Sequence, residues 1–382
     1  METIRVTPDP RVLAWAVERA GPDLRYKFPR IDKWLSGEDK PTLRQLEAFA
    51  KAASVPFGYF FLSEPPEERA PIPHFRTIEQ RPTKSMSPDL LETIYTMQRR
   101  QAWMREYLTE QGHEPLSFVR SESVNSSPQQ VASRMRKLLG LDTEWAAKYK
   151  TWTEALVDLQ VKAEAAGILV VTSSVVGNNP RRKLSVEEFR GFVLVDEYAP
   201  LVFINGADGK AAQMFTLGHE LAHVWLGSSA SFDLRNLQPA SNVTEQTCNL
   251  IAAEFLVPGD SLGAFWREAR QQPNPFHAIA RHFKVSEVVA ARRALDLRLI
   301  TKEEFFAFYD NYQRRERKAS ASREVGGNFY ATQTMRLGRR FSETVLQAVR
   351  QGTLLYHEAY RLTGLYGQTF DRFVAYLTRG LP

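Results

Sequence analysis

The chain has 382 residues, 43% of them apolar, and a formal net charge of +6 from 50 basic and 44 acidic residues. That composition excludes wholesale disorder, and the charge is too mild to mark a nucleic-acid binder by itself. Cys248 is the single cysteine, which excludes an intrachain disulfide framework. The opening METIRVTPDPRVLAW has no basic stretch followed by an apolar core, and no apolar run reaches bilayer length. A cytoplasmic location without membrane contact is expected.

In chain order, Pro10 to Ala20 carries Val12, Leu13, Ala16 and Val17 at helical spacing. A second helical piece is expected from Pro29 to Leu35, and a third in TLRQLEAFAKAAS after Pro41. Val55 to Leu62 reads as an apolar cap on this bundle. The prolines of SEPPEERAPIPHF and RPTKSMSP make Ser63 to Pro88 a linker, and Leu90 to Glu110 a long amphipathic helix. Helices are expected at Gln129 to Leu139 and Thr153 to Ala166. ILVVTSSVV, GFVLVD and LVFIN are then β-branched runs that predict three strands. A helix from Asp208, as N-cap, to Trp225 follows, stopped by Gly227, and another runs from Thr244 to Val257. FHAIARHFKVSEVVAARRALDLRLI predicts a helical pair with its turn at Val285 and Ser286. Arg314 to Arg323 reads as a charged linker, and two or three helices are expected from Gly326 onward.

HELAH at 219 to 223 carries the chemistry. Residues four apart share one helix face, so His219 and His223 stand at the spacing that chelates one metal ion. Glu220 is placed to take a proton from water. This is the pattern of a zinc hydrolase. Met214, Leu217, Leu221 and Trp225 form the helix's apolar stripe, which predicts that the histidines stand off the main packing face. A third ligand must come from elsewhere. The next helix offers Glu245, with Asn249 one turn along, and Glu254 as the fallback. Glu245 could instead cap its helix in answer to Asn242, and Cys248 is expected in the core.

TLGHELAHVWLG followed by TEQTCNLIAAEFLVP resembles the ImmA/IrrE family of metallopeptidases. The resemblance implies His219, His223 and Glu245 as zinc ligands and Glu220 as general base. Asn249, Ala252, Ala253, Glu254, Leu256 and Pro258 fill the rest of the motif. It extends to KWLSGEDKPTLRQLEAFAKAASVPFGYFFL, which is similar to members carrying an N-terminal helix-turn-helix. The expected fold is α+β and mainly helical: a zincin-like core with a small β-sheet, a helix-turn-helix-like bundle before it and a helical segment after it. The expected domains are 1–63 (helix-turn-helix-like), 64–128 (linker and long helix), 129–310 (zincin-like peptidase with a trailing helical module) and 326–382 (C-terminal helical extension).

The resemblance further implies a bacterial regulatory protease that cuts a partner protein, a repressor or a toxin/antitoxin-type partner. Its substrate would add as a strand near Gly191 to Asp196. The alternative is a non-catalytic DNA-binding regulator or antitoxin that binds a toxin and keeps zinc as a structural ion. DNA is a candidate partner of the N-terminal module through Arg25, Lys27, Arg30 and Lys33. His277 and His282 are five apart and do not predict a second metal site. His74 is given no role.

Overall fold

The computed structural model describes residues 4–20, 23–53, 55–66, 86–228, 231–232, 243–319 and 329–379. His74, Asn242 and most of the Ser63 to Pro88 linker lie outside them. The chain divides into two compact units: residues 1–71 with 79–95, and residues 72–78 with 96–382.

The first unit is helical. It contains α1 (Pro10–Ala20), α2 (Asp23–Lys27), α3 (Ile31–Ser36), α4 (Leu43–Ala53) and a 3₁₀ turn at Phe57–Phe61. The apolar stripes meet as their spacing predicts: Val12, Leu13 and Ala16 of α1 and Leu46 and Phe49 of α4 are fully buried. Phe49 is the hub, with ring centroids 5.3 Å from Phe28, 6.1 Å from Trp34 and 5.5 Å from Phe60. The helix expected over Pro29 to Leu35 is α3, which Gly37 ends in the left-handed region; α2, before it, is a further short helix that the sequence reading did not identify. Two of the four basic residues expected to meet phosphates already have carboxylate partners. Arg25 pairs with Asp32, and Arg30 lies 3.5 Å from Asp39.

Helix α5 (Pro88–Glu110) begins in the first unit and continues into the second. The second unit continues with α6 (Pro128–Leu138) and α7 (Trp152–Ala165). Then come β1 (Leu169–Ser173), β2 (Gly191–Leu194), β3 (Leu201–Asn205), α8 (Lys210–Leu226), β4 (Ser231–Phe232) and α9 (Val243–Leu256). The sheet order is β1-β3-β2-β4, with β1 parallel to β3 and β2 antiparallel to both β3 and β4. Every residue of β1, β2 and β3 is buried, which is why those segments read as continuous apolar runs rather than alternating ones. The observed architecture is α+β and mostly helical, consistent with a zincin-like core.

Several sequence expectations need correction. The N-cap of α8 is Gly209, not Asp208. The Asp208 carboxylate accepts from Gly209 N–H and pairs with Arg190 at 2.7 Å, so an ion pair claims the side chain. Pro258 ends α9 but also caps a further helix, α10 (Gly259–Ala269), which the sequence reading did not identify. The pair α11 (Pro275–Phe283) and α12 (Glu287–Asp296) turns at Ser286 as expected, with Ser286 accepting from Val289 N–H. The charged stretch from Arg314 is helical as far as Ala319, inside α13 (Lys302–Ala319); Arg, Glu and Lys are good helix formers. The remainder, 320–323, lies outside the described residues. Among the described residues, the C-terminal segment holds four helices rather than two or three: α14 (Phe329–Leu337), α15 (Arg339–Arg350), α16 (Tyr356–Thr363) and α17 (Gly367–Arg379).

The outer edge of β2 is not the open strand expected for substrate. β4 pairs with Gly191 and Phe192, and the Gln101 amide of α5 donates to Leu194 O at 2.7 Å. At the other end of the sheet, the turn between α14 and α15 approaches β1. A Cβ on Gly338 would lie 2.9 Å from Val170 O. Among the described residues, no helix is long and apolar enough to cross a membrane.

Candidate metal centre

The site is made by α8 and α9, which pack side by side. Helix α8 is buried on every side from Gln213 to Trp225, so the expected separation between an apolar stripe and a histidine face does not exist. Met214, Leu217 and Leu221 are fully buried, and so are His219, Glu220 and His223. A helix inside a core can carry polar groups only where they find partners. The partners of the two histidines are therefore informative.

The ε nitrogens of His219 and His223 lie 3.0 Å apart. Glu245, in the first turn of α9, brings Oε2 to 3.2 Å from His219 Nε2 and Oε1 to 3.3 Å from His223 Nε2. One ligand atom from each of the three residues falls within 4.8 Å of the others, so the group could hold a metal ion. The opposite ring nitrogens are engaged too. His219 Nδ1 donates to Asn249 Oδ1 at 3.0 Å, and His223 Nδ1 stands 2.8 Å from Ser228 Oγ. An amide oxygen only accepts, so the hydrogen of His219 sits on Nδ1 and its Nε2 lone pair faces Glu245.

Burial drives the electrostatics. Desolvation pulls the His219 imidazole down to about 4, so it is neutral near pH 7 and free to ligate. Desolvation, with repulsion from Glu245, pushes the Glu220 carboxyl well up. Burial also acts to raise Glu245, but its close contacts with the His219 and His223 rings outweigh it and hold that carboxyl well below the usual range. Neither oxygen of Glu220 has a hydrogen-bond partner among the described residues. A buried carboxylate with nothing to bind is costly unless a further group belongs beside it. The donor set of two imidazoles and a carboxylate, together with this unmatched carboxylate, fits a divalent ion and a water.

The other candidates from the sequence lie elsewhere. Glu254 accepts from Gly259 N–H and forms a buried ion pair with Arg293, so it is not part of the cluster. Cys248 is fully buried in the core. His277 and His282 pair with Glu287 and Glu144 and are not brought together with the cluster. Arg293 of α12 is buried on Glu254, and Arg292 pairs with Asp296.

Three neighbours of the site were not identified from the sequence. Ser228 touches His223. Gly191 and Thr216 flank Glu220: a Cβ on Gly191 would meet Thr216 Cγ2 at 2.5 Å and Glu220 Oε1 at 3.3 Å. A lone glycine inside a β-branched strand is a signal of such close approach, and it stood at the head of GFVLVD.

A family model described as the IrrE N-terminal-like domain, of peptidase type M78, matches residues 163–295. A second, described as a domain of unknown function (DUF8813), matches residues 337–375. No curated protein matches the chain. Residues 163–295 contain both α8 and α9 and every side chain of the cluster, so the cluster lies wholly within the part of the chain that is similar to the IrrE N-terminal-like domain of metallopeptidases.

Proposed function

We propose that this protein is a cytoplasmic zinc-dependent endopeptidase that cuts a regulatory protein, a repressor or a toxin/antitoxin-type partner, at one or few sites. His219, His223 and Glu245 hold the zinc and Glu220 is the general base. The observation that carries this reading is the convergence of three ligand atoms within 4.8 Å beside a buried carboxylate that has no partner of its own.

Zinc in such a site polarises a peptide carbonyl and makes water acidic enough to lose a proton near neutral pH. The residues divide the remaining work. Glu220 adjoins His219 in sequence but does not join the ligand cluster, so its carboxylate is free to take the proton from the attacking water at an oxygen and return it to the leaving amine. Burial raises the proton affinity of that carboxyl, which suits a base that must hold a proton between two steps. Glu245 supplies the single negative charge of the ligand set and keeps 18% of its side chain accessible, unlike the two enclosed histidines. Asn249 fixes the tautomer of His219.

Around this centre, residues 1–63 are proposed as a helix-turn-helix-like module and 64–128 as a linker with the long helix. The peptidase domain is 129–310, with its trailing helical pair, and 326–382 a helical extension. A structural zinc in a non-catalytic regulator would not call for Glu220, a buried carboxylate left unpartnered among the described residues.

The test is to express the wild type and Glu220→Gln in the same cells and compare newly formed protein N-termini. The wild type should generate one or a few that the variant does not, at equal zinc content. Identical N-terminal profiles would remove the peptidase assignment.

A further inference from the structure

Gly227 ends α8 in the left-handed conformation, with φ at 74°. The turn folds the next residue back over the helix. Ser228 N–H donates to His223 O at 3.1 Å, and Ser228 Oγ stands 2.8 Å from Nδ1 of the same histidine. A separate stretch of chain clamps this turn. Arg120 N–H donates to Val224 O at 3.1 Å, Glu122 N–H donates to Trp225 O at 3.0 Å, and Phe118 lies against Trp225 at 4.6 Å between ring centroids. The clamp is close enough that a Cβ on Gly227 would overlap the Arg120 side chain, at 2.9 Å from its Cβ. The last carbonyls of α8 are thereby satisfied, and the hydroxyl of Ser228 is set where it is by backbone geometry.

We infer that Ser228 is a positioning residue for the metal centre: its hydroxyl holds the His223 ring by Nδ1 so that Nε2 points at the common ligand point. The inference rests on the zinc reading above and adds a residue to it. His219 and His223 are treated alike. Each ring has its δ nitrogen against a neutral side-chain oxygen, Asn249 Oδ1 at 3.0 Å or Ser228 Oγ at 2.8 Å, and its ε nitrogen against a Glu245 oxygen. An imidazole turns easily about its Cβ–Cγ bond, because the well there is broad and two-fold. Without a partner at Nδ1 the ring loses the restraint that aims its lone pair. Both outer partners are uncharged, and Glu245 contributes the carboxylate of the cluster.

The experiment measures the zinc dissociation constant of the full chain by competition with a chromophoric chelator, together with the melting temperature of the metal-free protein. Ser228→Ala should weaken zinc binding by about 10- to 100-fold and leave the metal-free melting temperature unchanged. Ser228→Thr keeps the hydroxyl and should return the constant to within a few-fold of wild type. Equal zinc affinity in Ser228→Ala and wild type overturns the inference. So does an equal loss in Ser228→Thr, since the hydroxyl would not then be the cause. If the wild type itself takes up no zinc, the metal assignment falls and this inference falls with it; weakened binding in Ser228→Ala alone separates the two.

Discussion

Gly191 and Glu220 face each other across the contact between β2 and α8, and the fit leaves no room for a side chain. A Cβ at 191 would lie 3.3 Å from Glu220 Oε1, 2.9 Å from Phe203 O and 2.5 Å from Thr216 Cγ2. The Phe203 oxygen belongs to the backbone of the neighbouring strand and cannot swing aside. The strand therefore passes over the proposed base with only hydrogen between them.

Gly191→Ala is expected to destabilise the fold by about 1–3 kcal/mol, the usual cost of forcing a methyl into a filled core. It should also depress cleavage by on the order of 100-fold, because a displacement near 1 Å at a reacting group has that effect. Urea unfolding and a cleavage assay check the two effects. Wild-type stability together with wild-type cleavage would contradict the close contact.

Glu254 and Arg293 form a buried ion pair that the sequence motif left open to another use, since Glu254 was the alternative third ligand. Arg293 also donates from Nε to Val257 O at 3.0 Å, and Arg136 donates to Glu254 O at 2.7 Å. Glu254→Leu strands the Arg293 charge and should cost roughly 3–5 kcal/mol in urea unfolding. Adding Arg293→Met should recover most of that loss. Zinc content should stay at the wild-type level throughout. Loss of zinc in Glu254→Leu would mean that Glu254, not Glu245, is the ligand.

Glu164 of α7 is buried beneath the C-terminal helices, where its Oε1 accepts from Arg340 N–H at 3.1 Å. Burial pushes its carboxyl up from 4.5 to about 7. The folded state thus holds a proton that the unfolded chain releases at lower pH. The contribution to stability is fully present below about pH 4.5 and is lost as pH rises through about 7. Glu164→Gln removes that dependence. The variant should match the wild type near pH 4.5 and exceed it near pH 8 by on the order of 3 kcal/mol. Unfolding curves at the two pH values check this. A variant no more stable than wild type at pH 8 would contradict it.

Much of the candidate metal centre could be read locally. The HELAH spacing needs only helical periodicity to bring His219 and His223 together, and the ε nitrogens do lie 3.0 Å apart. The three main strands were legible because continuous apolar runs of β-branched residues have few other uses. Choosing Glu245 over Glu254 was different. It needed the resemblance, because both carboxylates sit on the same helix and the ion pair that removes Glu254 comes from α12, 39 residues away.

Ser228 and Gly191 were hidden for a related reason. The first acquires its contact through a left-handed cap clamped by residues 118–122, and the second through a strand packing on a helix; neither is a property of its own neighbourhood in sequence. The C-terminal boundaries were blurred by glycines. Gly338, Gly352 and Gly364 all take positive φ, and they divide the segment into more helices than its apolar pattern suggests.

The most direct test of the account is the zinc content of purified protein, by elemental analysis, for the wild type, Glu245→Ala and Glu220→Gln. The wild type and Glu220→Gln should each hold one zinc per chain, and Glu245→Ala should hold little or none. A wild type without stoichiometric zinc, or a Glu245→Ala variant that keeps it in full, would contradict the assignment of His219, His223 and Glu245 as the metal centre.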